Sequence, residues 1–178
     1  MLRILIIIMF FCLSVKADQY DQRLEILFSQ LLITENETKI KTIKLKIWDI
    51  WHETNDPKIN ADFFRGIGLM HNGNLKESIK FFSKVIEKNP NFAEAWNKRA
   101  TVFYMLGEYD KSMADINTTL KLEPRHFGAM DGMALIFLHQ EKFTKVLEIY
   151  DEIIKIFPKS KITIDKREKL LNYNSKSA

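Results

Sequence analysis

Apolar residues along the chain fall into short helical stripes separated by turn signals. Leu24, Leu27, Phe28, Leu31 and Leu32 recur at the i, i+3, i+4, i+7, i+8 spacing of one helical face. Ile40, Ile43, Ile47, Ile50 and Trp51 share a second face, opened by Thr34-Glu35-Asn36-Glu37, which has the form of a capping box starting at Thr34. The alternation Ile43-Lys44-Leu45-Lys46-Ile47 also fits a strand, but it is short and lacks flanking turn residues, so a helix is predicted. Asn55-Asp56-Pro57 is a turn and the one internal boundary. Beyond it the pattern becomes periodic. Pro90, Pro124 and Pro158 stand 34 residues apart, and Gly73 stands 34 before Gly107. Each proline lacks the N–H needed to continue a helix, so the chain must turn there. Asn74 with Glu77, and Asn91 with Glu94, are placed to cap the helices that follow. Such a period marks a solenoid, in which no unit hides its apolar side without a neighbour.

The middle unit, Asn91 to Pro124, carries the clearest version of the frame. It places Trp96, Arg99-Ala100, Phe103, Ser112, Ile116 and Pro124 in order, with Leu106-Gly107-Glu108-Tyr109 at the turn between its helices. This stretch resembles a tetratricopeptide repeat, whose pattern asks for Trp, Leu-Gly, an aromatic, Ala, Phe and a closing Pro. The unit before it offers Arg65-Gly66, Leu69, Gly73, Ser78, Phe82 and Pro90, with Asp62 at the Trp place. The unit after it offers Met130, Ala134, Phe137, Val146, Tyr150 and Pro158. There Glu141 replaces the turn glycine, and a turn of different shape is expected. The resemblance implies an all-α fold: a right-handed α-α superhelix of three helix pairs with capping helices at both ends. The expected division is a leader at 1–17, an N-terminal helical cap at 18–57, repeats at 58–90, 91–124 and 125–158, and a capping helix with a frayed tail at 159–178. Trp48 and Trp51 are expected to seal the exposed end of the first repeat, and Ile162, Ile164, Leu170, Leu171 and Tyr173 the far end. Gly66, Gly68, Ala100, Gly128 and Gly132 fall on first helices, where close packing wants small side chains.

The first residues change the picture of location. Arg3 precedes an apolar run from Ile4 to Val15, and Val15-Lys16-Ala17 suits signal cleavage before Asp18. Twelve apolar residues are too few for a membrane span, which takes about 20. A cleaved signal and a periplasmic chain are expected, with an uncleaved anchor in the inner membrane as the alternative. The only cysteine, Cys12, lies inside the leader, so the remainder makes no disulfide. The chain has 27 basic and 23 acidic residues; without Arg3 and Lys16 the excess is two (25 − 23), which argues against nucleic acid. Lys39, Lys41, Lys44 and Lys46 are read as the solvated face of one helix, with a membrane-surface role as the alternative.

Within the family the chain most resembles short exported tetratricopeptide proteins of alphaproteobacteria, through Trp96 to Thr101 and Glu123 to Gly128. The resemblance implies a non-catalytic adaptor that binds a protein or peptide along the concave wall formed by the first helices. Asn97, Thr101 and Tyr104 form the stripe expected to face that wall. Shifted by one repeat, it becomes Phe63, Ile67 and Met70, and Asp131, Leu135 and Leu138. Whether that groove is open or covered by the protein's own terminal helices stays undecided. The grip on a C-terminal carboxylate by Lys, Arg and Asn, made by chaperone-binding relatives, is not expected here, because Asp131 would repel it. Arg99 and Asp115 are read as a half-buried ion pair, with an anion contact as the alternative. The other class of function is a structural subunit that self-associates, or docks on an envelope enzyme, through its ends. No enzyme, metal or cofactor is expected: His52, His71, His126 and His139 form no ligand motif, and no phosphate loop or nucleophile turn is present.

Overall fold

The computed structural model describes residues 21–177, and among them it has nine α-helices and no strand. The expected leader lies outside the described residues. In order the helices are α1 (Gln22–Ile33), α2 (Glu37–Trp51), α3 (Pro57–His71), α4 (Leu75–Lys88), α5 (Ala93–Met105), α6 (Tyr109–Leu122), α7 (Phe127–His139), α8 (Phe143–Ile156) and α9 (Lys161–Ser177). Helices α3/α4, α5/α6 and α7/α8 are antiparallel pairs that stack in sequence, each second helix packing on the next first helix.

Three turns of one shape join the pairs. Gly73 and Gly107 both have φ of 76°, and Glu141 has φ of 55°. Behind each turn the same bond closes at 2.9 Å: Asn74 N–H to Leu69 O, Glu108 N–H to Phe103 O, and Lys142 N–H to Phe137 O. The expectation that Glu141 would change the turn is therefore wrong. The periodic packing dictates the left-handed conformation, and the glutamate adopts it at a conformational cost that glycine escapes.

Inside each pair the closest approach is set by small residues. A Cβ on Gly66 would lie 2.8 Å from the Phe82 ring. The Ser78 hydroxyl donates to the Gly66 carbonyl (2.9 Å), and Ser112 donates to Ala100 (2.8 Å), both fully buried. Gly68 does not share this role, since a Cβ there meets open space. Arg99 and Asp115 form the expected pair: Nε donates to Oδ2 at 2.7 Å and Nη2 to Oδ1 at 2.9 Å. The third guanidinium nitrogen donates to Ser83 Oγ at 3.0 Å, so the arginine ties α5 and α6 to α4 of the preceding repeat.

The caps differ from the sequence reading. Asn36 caps α2 by accepting from Lys39 N–H, whereas Thr34 ends α1. Asp56 caps α3. Asn74 precedes α4 without a side-chain cap bond, and Phe92 rather than Asn91 holds the N-cap place of α5. In α9 only Thr163 and Leu170 are fully inward; Ile162, Leu171 and Tyr173 are exposed, and the helix continues to Ser177 where a frayed tail was expected.

The N-terminal pair does not sit on the end of the stack. Leu24, Leu27, Phe28, Leu31, Ile43, Ile47, Ile50 and Trp51 share one core cluster with Phe127, Val146, Tyr150 and Phe157 of the third repeat. Trp51 stacks on His126 at 4.0 Å between centroids, and Trp48 meets Phe127 edge-on at 5.6 Å. The two tryptophans thus cover the third repeat, not the first.

Candidate partner-binding surfaces

The end of α2 and the segment after it meet the starts of the first helices in the reverse order of the repeats. Asn60, Glu94 and Gly128 occupy the same place in the three units. Asn60 Oδ1 accepts from the Thr54 hydroxyl (2.9 Å) and its Nδ2 donates to Thr54 O (2.9 Å). Glu94 Oε1 lies 3.2 Å from His52 Nε2. A Cβ on Gly128 would lie 2.7 Å from the Trp48 ring. One repeat position therefore meets residues 54, 52 and 48 in turn.

Glu94 is the polar centre of this junction. Its side chain is fully buried, with Lys98 Nζ 2.8 Å from Oε1, and His126 Nε2 and Asn97 Nδ2 at 2.7 and 2.9 Å from Oε2. His126 is also fully buried and caps α7, its Nδ1 accepting from Ala129 N–H at 3.1 Å. That bond leaves the ring proton on Nε2, which donates to Glu94. Burial alone would raise the carboxyl pKa. The Lys98 charge and the bonds from His126 and His52 outweigh it and hold Glu94 well below the usual carboxylate range. Lys98 in turn lies over the Trp48 ring at 5.2 Å. Two histidines, a lysine and a glutamate in contact invite a catalytic or metal reading. Both His126 nitrogens are engaged by Glu94 and Ala129, Lys98 neutralises the carboxylate, and among the described residues no group of His, Cys, Asp and Glu is disposed to hold a metal.

The expected concave stripe is divided by this arrangement. Phe63 is fully buried against His52, Phe82 and Phe92; Met70 belongs to the same cluster, and Asn97 is spent on Glu94. These three form interior, not open wall. Ile67, Tyr104 and Leu138 are half-buried, while Thr101 and Leu135 are exposed. Asp131 pairs with Lys166 of α9 at 2.8 Å, so the last helix meets the stripe at the third repeat. Met105, exposed by 52 %, continues the line of Asn97 and Thr101 at the same i+4 spacing. His71 and His139 are exposed at the far ends of α3 and α7, His139 against the Tyr109 ring at 4.4 Å.

The tetratricopeptide repeat family matches residues 81–114, from α4 through α5 into α6. A TPR repeat-containing protein of Rhizobium etli is 34% identical over 137 residues, covering 77% of this chain and 67% of its own. The chain belongs to the tetratricopeptide repeat family. Hsp70-Hsp90 organizing protein 3 of Arabidopsis thaliana is 26% identical over 101 residues, 57% of this chain but 18% of that relative. Among solved structures, the first TPR of Spaghetti (RPAP3) bound to an HSP90 peptide superposes with a TM-score of 0.61 at 15% identity, over 66% of this chain and 96% of that one. The TPR2B domain of yeast Sti1 in its pHsp70 complex gives 0.60 at 16% identity, over 69% and 100%. The shared fold is the right-handed superhelix of helix pairs. Tetratricopeptide repeats are in general protein-interaction modules and not catalysts. No helix among the described residues is long and apolar enough to cross a membrane.

Proposed function

We propose that this protein is a non-catalytic adaptor of the cell envelope that holds a partner polypeptide along the open part of its concave wall. The observation that carries the reading is the row Ile67, Thr101 and Leu135. These occupy one position in three adjacent first helices, and the last two face solvent. A row with an apolar residue at each end and a hydroxyl between suits an extended chain with spaced apolar side chains. The named relatives and peptide-bound structures support the class of partner. Their chaperone tails are not carried over, since the row offers no cation for a terminal carboxylate. Export rests on the leader pattern from Arg3 to Ala17.

The test is affinity capture from a periplasmic extract with the tagged full chain. Thr101→Arg together with Leu135→Glu is expected to lose the captured protein while the melting temperature stays within about 2 °C, since exposed substitutions are near neutral. Unchanged capture by the double variant refutes the wall. Recovery of the chain in the cytoplasm after cell fractionation refutes the location.

A further inference from the structure

A cleft of about 650 Å³ opens between α2 and the turn from α8 into α9, and no residue of the concave stripe lines it. Its floor is apolar, made by Ile40, Trp48, Phe157 and Ile164. Leu45 on one wall and Ile162 on the other are exposed by 56 % and 63 %, although both are large aliphatic side chains. The rim is charged. Lys159 pairs with Glu35 at 2.8 Å and Lys161 pairs with Glu37, which ties the two walls together. Lys41 and Lys44 line the same cleft and have no carboxylate partner among the described residues. Lys44 is not a solvated lysine of the kind expected: its ammonium sits 5.5 Å from the Phe157 ring and 5.9 Å from Phe127. Four lysines face two glutamates, leaving two positive charges in excess beside an apolar trough.

We propose that this cleft is a second docking site, for an acidic amphipathic helix of a partner protein. Its apolar stripe would lie on the floor between Leu45 and Ile162, with flanking carboxylates meeting Lys41 and Lys44. The trough is recessed between two elements, which suits a helix laid into a groove and not a flat lipid surface. The chain's own first 17 residues contain Arg3 and Lys16 and no acid, so they repeat the charge of the cleft instead of balancing it. A second copy would bring the same cleft, with the uncompensated Lys41 and Lys44, against itself. The site is independent of the concave wall.

The probe is a fluorescent synthetic helix with leucines at i, i+4 and i+7 and glutamates on its flanks, compared with its lysine-flanked twin. Binding is read by anisotropy, and contact with the floor by Trp48 emission. The acidic helix is expected to bind the full chain at least about tenfold tighter than its twin, a difference of about 1.4 kcal/mol. Lys41→Glu and Ile162→Glu, both at exposed positions, are each expected to weaken it about tenfold, and Ile26→Glu on α1 to leave it unchanged. Thr101→Arg with Leu135→Glu should also leave it unchanged, so that failure of the concave wall and failure of the cleft are told apart. Equal binding of both helices overturns the proposal, as does indifference to Ile162→Glu. Binding to phosphatidylglycerol vesicles without binding to the acidic helix assigns the cleft to a membrane and overturns it. A dimer in sedimentation that Ile162→Glu dissolves assigns it to a second copy. Cross-linking from a benzophenone placed on Cys12 into α2 or α9 assigns it to the leader. Either result overturns it as well.

Discussion

Glu94→Gln isolates the charge at the junction between α2 and the repeats. The substitution keeps the volume of a fully buried side chain, so no cavity opens and the change is electrostatic. Three effects follow. Lys98, whose side chain is 18 % exposed, loses its counter-charge at 2.8 Å. The acceptor shared by His126 and Asn97 weakens from a carboxylate to an amide oxygen. The new amide N–H₂ then points toward Lys98 and His52, donors against donors. Breaking a buried pair costs about 3–5 kcal/mol. Lys98 can turn its ammonium partly into water, which lowers the expected loss to about 2–3 kcal/mol. For a chain of this size that is a fall of about 5–10 °C in Tm.

Thermal unfolding followed by tryptophan emission reads the loss, because Trp48 and Trp51 sit at the junction itself. Adding Lys98→Met should return part of it: the double variant is expected to lose at least about 1 kcal/mol less than the two single losses together. The pH dependence has a definite sign. The folded carboxyl is held below its unfolded value of about 4.3, so its contribution is complete above that pH and fades as pH falls toward the folded value. The gap between wild type and Glu94→Gln should therefore be constant from neutrality to about pH 5.5 and narrow below about pH 4. A gap under about 0.5 kcal/mol at neutral pH refutes the reasoning, as does one that widens in acid.

Arg99→Lys keeps the charge but loses the two-pronged contact with Asp115 and the link to Ser83, and should cost about 1–2 kcal/mol by urea unfolding. Asp115→Ala strands the guanidinium and should cost about 3 kcal/mol or more. Glu141→Gly relieves the one left-handed non-glycine turn among the described residues and should raise stability by about 1 kcal/mol, measured as a Tm gain of about 2–4 °C. Gly128→Ala forces the Trp48 ring to move and should cost about 1–3 kcal/mol with a shift in tryptophan emission. Gly68→Ala meets open space inside a helix and should instead stabilise by about 0.5–1 kcal/mol.

What the sequence disclosed was whatever one repeat repeats. The 34-residue frame located the three helix pairs, and it placed Arg99 opposite Asp115 because both lie within one unit. Helical spacing also found the inward faces of α1 and α2, where Leu24, Leu31, Ile43 and Ile47 are buried as their stripes require. Caps were read less well for a physical reason. A cap depends on whether one side chain bonds locally or is drawn elsewhere, and Glu94 is drawn to His126, 32 residues away. The turn at Glu141 was misjudged because a local propensity of about 1–2 kcal/mol was weighed without the packing that overrides it.

The position of α2 could not be found from its own stripe, since an apolar face says how much must be covered and not by what. The signal lay in the repeats. At one frame position stand Asn60, Glu94 and Gly128, three residues with nothing chemical in common. A surface that faces water or a uniform groove has no reason to demand a different chemistry from each unit. A single non-repeating segment, the end of α2 and the residues after it, does, because it presents a different residue to each: Thr54 wants an amide, His52 a carboxylate, and Trp48 no side chain at all. The same reasoning bears on the concave wall. Nearer the helix starts Phe63 is packed among His52, Phe82 and Phe92, Asn97 is spent on Glu94, and Asp131 is held by α9. A partner is left with the row through Thr101 and Leu135, so a longer ligand can gain ground only by opening the Asn97–Glu94 bond or the Asp131–Lys166 pair.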